Sequence, residues 1–205
     1  MARGAKLTYE QSGVDYAKID PLKVLAQQAA QETARNLLPT GYSEVEESRG
    51  ESAYVVDVGD FYLASITECL GTKSLVADAM RNVTGKTYYD SIAQDTLAMA
   101  INDIITVGAK PLSVHAYWAT GGSAWFSDEQ RMHDLVTGWR HTCDRAGVSW
   151  GWGETPSLSG IVEAGAIDLA ASCVGIIRPK DRLTVGKNLQ AGNAIVLLAS
   201  SGIHA

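Results

Sequence analysis

The residues with the types and spacing for chemistry gather around one stretch, NDIITVGAKPL, from Asn102 to Leu112. Asn and Asp are mediocre helix formers. Yet Asn102 and Asp103 fall inside a helical pattern that runs from about Tyr89 to Val107. Its apolar face is Ile92, Leu97, Ala100, Ile101, Ile104 and Ile105. Asp95 lies about two turns before Asn102, so Asp95, Met99, Asn102 and Asp103 share the other face. Carboxylate and amide oxygens in such a row can hold a hard cation. Mg²⁺ takes few protein carboxylates and completes its shell with waters and phosphate oxygens. A solvated helix face has the same pattern, and both readings stand at this point.

Three other places carry candidate groups. In TECLGTK, Thr67 to Lys73, the backbone at Gly71 and Thr72 and the ammonium of Lys73 can hold a phosphate between a strand and a helix. An ordinary capped loop fits equally. The order Gly-Thr-Lys is not that of a Walker A loop. SWGWGETPSLSG reads as a glycine-rich loop in which Glu154 is a metal or general-base carboxylate, or an exposed Glu in a tight turn. SSGIH, near the end, offers His204 for phosphate binding or proton transfer. His115, His133 and His141 lack metal-ligand spacing and read as surface or packing residues. The tryptophans read as core, with Trp152 the one placed to line a pocket.

These groups need elements to position them. Asp20-Pro21 opens a predicted helix with a narrow apolar stripe, Leu22, Leu25, Ala26, Ala29, Thr33 and Leu37. YVVDV, a Gly59-Asp60 turn and FYLASIT read as a hairpin. A short helix follows from about Ser74 to Asn82, then the long helix and a strand, LSVHAYW. Ser127 to Gln130 forms a capping box for a helix that ends near Gly147. AIDLAASCVGIIR and AIVLLAS read as strands. Strands and helices mix without strict alternation, which predicts an α+β fold with a mixed or antiparallel sheet packed with helices.

Bulk properties narrow the partners. The 205 residues are 46% apolar and 20% charged, an ordinary globular balance. The net charge of −6 argues against nucleic acid and anionic membrane, which require a basic face. Three scattered cysteines without a CxxC fit buried thiols in a reducing compartment. No apolar run reaches the length of a membrane span, and MARGAKLTYE has no signal-peptide core. The expectation is a soluble cytoplasmic protein.

Six blocks, in this order, resemble the AIR synthetase (phosphoribosylformylglycinamidine cyclo-ligase) family. Tyr9-x3-Gly13-Val14-Asp15 is similar to its Y-x3-GVD, and TECLGTK to its T-D-G-V-G-T-K. Asp95-x3-Met99-x2-Asn102-Asp103, continuing to Gly108, Ala109 and Pro111, resembles the D-x4-GA-x-P signature of a wider ATP-binding superfamily. That superfamily includes formylglycinamidine synthetase, selenophosphate synthetase, thiamine-phosphate kinase and a hydrogenase maturation factor. Tyr117-Trp118-Ala119-Thr120-Gly121 resembles Y-Y-A-T-G. Gly153-Glu154-Thr155 and Ser200-Ser201-Gly202-x-His204 resemble G-G-E-T and S-S-G-x-H. The chain departs from the pattern at Glu68, where the family has Asp, and at Cys69, where it has Gly.

The resemblance implies an N-terminal α+β domain that dimerises through its sheet. Residues 1–40 would form an arm and first helix, 41–205 the ATP-binding domain, and a C-terminal α/β domain would lie outside this chain, leaving the fragment inactive alone. ATP and Mg²⁺ would activate an amide oxygen of formylglycinamidine ribonucleotide so that a ring nitrogen closes aminoimidazole ribonucleotide. Gly71, Thr72, Lys73, Asp95, Asn102 and Asp103 would contact the nucleotide. Glu68, Asp95 and Asp103 would hold the metal. Glu154 and His204 would stand near the reacting centre. A related phosphoryl-transfer enzyme with another acceptor, and a non-catalytic dimerisation or nucleotide-binding module, are the competing readings.

Overall fold

The computed structural model describes residues 10–201. It divides into two units, Met1–Glu44 and Val45–Ala205. In the first, helix α1 (Tyr16–Thr33) begins earlier than the Asp20-Pro21 start read from the sequence. Asp15 is the cap, its carboxylate accepting from the Ala17 N–H at 3.1 Å. Pro21 sits inside the helix, close enough to its start to forfeit one hydrogen bond without ending it. No α1 residue is buried, so the predicted stripe is not a core: Leu22 is 68% exposed. A 3₁₀ segment (Ala34–Thr40) and a two-residue strand, β1 (Ser43–Glu44), complete this unit.

The second unit is built on β2 (Tyr54–Asp57), β3 (Tyr62–Leu70), β4 (Lys110–Thr120), β5 (Ser149–Glu154) and β6 (Ile167–Ile177). Its strands run in the order β2-β3-β6-β4-β5, with β4 and β5 parallel and the other neighbours antiparallel. With helices α2 (Thr72–Thr84), α3 (Tyr89–Thr106) and α4 (Glu129–Ala146), this is the predicted α+β fold with a mixed sheet. The hairpin β2–β3 forms as expected, its turn pinned by Asp57 accepting from the Gly59 N–H at 2.9 Å.

Four local readings change. β3 continues through Glu68, Cys69 and Leu70, which the sequence suggested as loop, because each has a partner on β6 (Ala171, Ala170 and Leu169). Only Gly71 separates that strand from α2. The glycine-rich SWGWGE is strand β5. Its glycines allow close pairing with β4: a Cβ on Gly153 would lie 2.4 Å from the Ala116 carbonyl oxygen. The cap of α4 is Asp128, accepting from the Arg131 N–H at 3.1 Å, and not Ser127. Residues 194–200 form no strand. Ile195 and Leu197 are each 88% exposed, and no described strand supplies the ladder partner that extended backbone requires.

The core lies between the sheet and α3. Leu169, Ala171, Cys173 and Ile177 alternate along β6 toward the helix side. Ile92, Leu97, Ala100 and Ile104 answer from α3. Ile101 is only partly buried, and Ile105 is 50% exposed because it lies about 100° further round the helix than Ile104. On α4, Trp139 packs edge-on against Trp118 of β4 at 5.3 Å. Helix α3 ends where Gly108 takes φ +82, and a Cβ there would lie 2.0 Å from the Arg182 carbonyl oxygen. Only glycine fits that corner, which hands the chain from Asp103 into β4.

Candidate functional site

The site is assembled by β3, the start of α2 and the polar flank of α3. Strand alternation turns Glu68 to the same face as the buried Ala64 and Leu70, the helix side of the sheet. There it meets Asp103 of α3. Burial raises the Glu68 carboxyl above its ordinary 4.5, and the neighbouring Asp103 carboxylate raises it further by charge repulsion and a shared hydrogen bond. Two acids held together in this way are a donor pair for a hard cation, which would relieve their repulsion.

One turn away in the sequence, Lys73 occupies the first turn of α2. Its ammonium lies 2.5 Å from the Asp95 carboxylate, with side-chain exposures of 20% and 31%. The pair bridges α2 and α3. Gly71 and Thr72 are exposed at the head of α2, where the backbone N–H groups of a helix are free to meet an anion. Asn102 is exposed on α3.

The other candidates stand apart. Glu154 ends β5 and is exposed. The sheet register places Glu68, Ala171, Ala116 and Gly153 in one row. Glu154 therefore stands three strand spacings from Glu68, about 14 Å. His204 lies outside the described residues. Among the described residues, no group of three His, Cys, Asp or Glu side chains is close enough to enclose a metal. The metal set read from the sequence thus resolves into the Glu68–Asp103 pair and an Asp95 engaged by Lys73. Two protein carboxylates suit Mg²⁺, which draws its remaining ligands from water and phosphate, so the donor set fits that ion when a nucleotide shares it.

One acid escaped the sequence reading. Asp168, at the start of β6, faces Gly71, and a Cβ on Gly71 would lie 3.3 Å from its Oδ1. Burial raises its carboxyl above the ordinary carboxylate value. Its signal was a lone Asp at the head of an apolar strand, AIDLAAS. Nearby Cys69 is exposed, but burial of its sulfur and the charges of Asp168 and Glu68 raise its thiol, which disfavours the thiolate. A cleft of about 500 Å³ lined by Lys86, Tyr88, Asp90 and Asp134 belongs to the opposite end of α3.

An α+β sheet with carboxylates, a lysine and a helix N-terminus at one end defines a class, and comparison with known proteins gives the family. Residues 50–177 match the family described as AIR synthase related protein, N-terminal domain, and the chain belongs to it. Among curated relatives, the phosphoribosylformylglycinamidine cyclo-ligase of Thermococcus kodakarensis is 35% identical over 201 residues, 97% of this chain and 55% of the relative. That of Carboxydothermus hydrogenoformans is 35% identical over 203 residues, 97% and 54%. That of Nitrosococcus oceani is 39% identical over 143 residues, 70% and 37%. The chain spans about half the length of the curated relatives it matches. Likeness to solved structures is looser: the hydrogenase maturation protein HypE of E. coli aligns at TM-score 0.47 and 18% identity, over 63% of this chain and 36% of its own. Among the described residues, no helix is long and apolar enough to cross a membrane.

Proposed function

We propose that this chain is the nucleotide-binding part of an ATP-dependent cyclo-ligase of purine biosynthesis, one that converts formylglycinamidine ribonucleotide to aminoimidazole ribonucleotide. The observations that carry the reading are the meeting of Glu68 with Asp103 and the Lys73–Asp95 pair at the head of α2. Membership of the AIR synthase related family supports it, as do relatives named for that activity along 97% of the chain.

In this reading the Lys73 ammonium and the free N–H groups around Gly71 and Thr72 grip the phosphates of ATP. Glu68, Asp95 and Asp103 hold Mg²⁺, which when bound supplies charge neutralisation at those phosphates. Asn102 sits at the rim of the nucleotide. The amide oxygen of the substrate takes the γ-phosphoryl group, and ring nitrogen attack then expels phosphate. Glu154 and His204 are the groups assigned to that reacting centre. The whole reaction belongs to the longer protein, acting in the cytoplasm. We further propose a homodimer formed through the sheet face opposite the helices, where Leu63, Val174 and Ile176 alternate with the core residues.

Calorimetric titration with ATP, with and without Mg²⁺, tests the site. Mg²⁺-dependent binding is expected, and Asp103→Asn should weaken it by about tenfold or more. An unchanged affinity would remove Asp103 from the site. A different acceptor is a second reading, favoured by the exposure of Glu154 and its distance from Glu68. Product analysis with the longer protein separates the two.

A further inference from the structure

We infer that the outer face of helix α2 is a docking surface, and that its occupant is the second half of the chain that this protein's relatives possess. The helix is built inside out. Between Ser74 and Thr84 it has two charged residues, and both are engaged with its neighbours in the fold. Asp78 pairs with Arg131 of α4 and accepts from the Tyr89 hydroxyl of α3, and Arg81 binds Asp128, the cap of α4. Ser74 and Ala77 are the buried residues, and the Ser74 hydroxyl meets the Gly71 and Ile167 carbonyl oxygens at 2.6 and 3.1 Å. The opposite face carries Leu75, Val76, Ala79, Met80 and Val83, all exposed, Val83 at 79%. Residues 75, 79 and 83, with 76 and 80 beside them, follow the four-residue spacing of one helix face. No charge stands among them. A surface helix ordinarily shows its charges to water and its apolar stripe to the core. Here that arrangement is reversed, which is informative where a single exposed leucine is not.

Size and chain length choose the occupant. A 13-residue helix is about 20 Å long and 10 Å wide, so one face offers on the order of 300 Å². Two free proteins that associate stably bury about 800 Å² each. A second copy seated on this face alone would fall well short. A segment joined to the same chain loses far less freedom on docking and can use a small face. The relatives have such a segment: this chain spans 55% of the Thermococcus kodakarensis cyclo-ligase and 54% of that from Carboxydothermus hydrogenoformans. Its matching surface would be apolar and uncharged, since a charge set against α2 would lose water without gaining a partner. A second uncovered apolar run, Ile195 to Leu198, belongs to the same unit and adds surface for that segment to cover. Gly71 and Thr72 open the same helix, so the docked half would border the proposed nucleotide site; the docking itself does not depend on that site.

Met80 reports on this face without any substitution. Hydrogen peroxide converts an exposed methionine to its sulfoxide, and peptide mass spectrometry reads each methionine separately. In the 205-residue chain, Met80 should oxidise faster than the partly buried Met99 and Met132. In the longer protein its rate should fall severalfold while those of Met99 and Met132 stay the same. Val76→Glu combined with Val83→Lys charges the face. That variant should keep the melting temperature of the 205-residue chain within about 2 °C, because both residues are exposed. In the longer protein it should return Met80 to the fast rate. Equal Met80 rates in the two unsubstituted proteins would overturn the docking. Protection that grows with the concentration of the 205-residue chain would also overturn it, by making a second copy the occupant. So would protection in the longer protein that survives both charges.

Discussion

Two of the cations that bridge helices among the described residues, Arg131 and Lys73, are held in opposite ways. Arg131 of α4 is 13% exposed and is held by several partners, although its Nε makes no hydrogen bond. It pairs with Asp78 at 3.4 Å, donates to the Trp125 carbonyl at 3.1 Å and lies 4.2 Å from the centre of the Trp125 ring. Tyr89 donates to the same Asp78 at 3.0 Å and stacks edge-on against Trp125 at 5.4 Å. Lys73 has one short contact, to Asp95. Arg131 is enclosed by a framework that its removal would leave unsatisfied. Lys73 can leave its partner without disturbing the core. The number of independent contacts on a charge, more than its distance to the nearest opposite charge, separates a structural ion from an available one.

Substitutions sharpen that contrast. The largest loss is expected for Trp125→Ala, which empties a 2% exposed site and strips Arg131 of its ring: about 4 kcal/mol in a urea denaturation series. Arg131→Met should cost about 3 kcal/mol, because Asp78 stays behind without its partner. Lys73→Met should change stability by under about 1 kcal/mol, as expected of a partly exposed pair, while abolishing Mg²⁺-dependent ATP binding. A loss from Lys73→Met as large as that from Arg131→Met would erase the distinction.

The smallest effect appears in pH dependence. Burial, then Asp103, raises the Glu68 carboxyl above 4.5, so the folded chain holds that proton more tightly than the unfolded chain does. The resulting stabilisation is fully present below the unfolded value and is lost as pH rises through the raised folded value. Glu68→Gln removes the titration, so its stability curve should be flatter than the parent's over that interval. Superimposable curves from pH 4.5 upward would mean that Glu68 and Asp103 do not interact in solution.

Much of this was legible in local sequence. The long helix around Asp95 and Asp103, the β2–β3 hairpin, β6 and the mixed α+β character all follow from apolar periodicity and turn residues. Legibility failed where the deciding partner was remote. Glycine-rich SWGWGE became a strand because β4 lay alongside it, and Glu68 to Leu70 became strand because β6 did. Residues 194–200, with an apolar run as convincing as that of β6, pair with no described strand and form no strand. Asp168 drew no notice because a single Asp beside an apolar run carries no pattern of its own.

By itself, the sequence determined which residues could serve a nucleotide and which face of α3 they share, since both depend on residue type and the 3.6-residue period of one helix. Tertiary structure alone decided the pairings. Glu68 meets Asp103, and Lys73 meets Asp95, only after β3 has taken its register on β6 and α3 has packed across the sheet. It also set Glu154 three strands away. A helix or strand period reports where a side chain points along its own element; which charge it finds there depends on how separate elements are stacked.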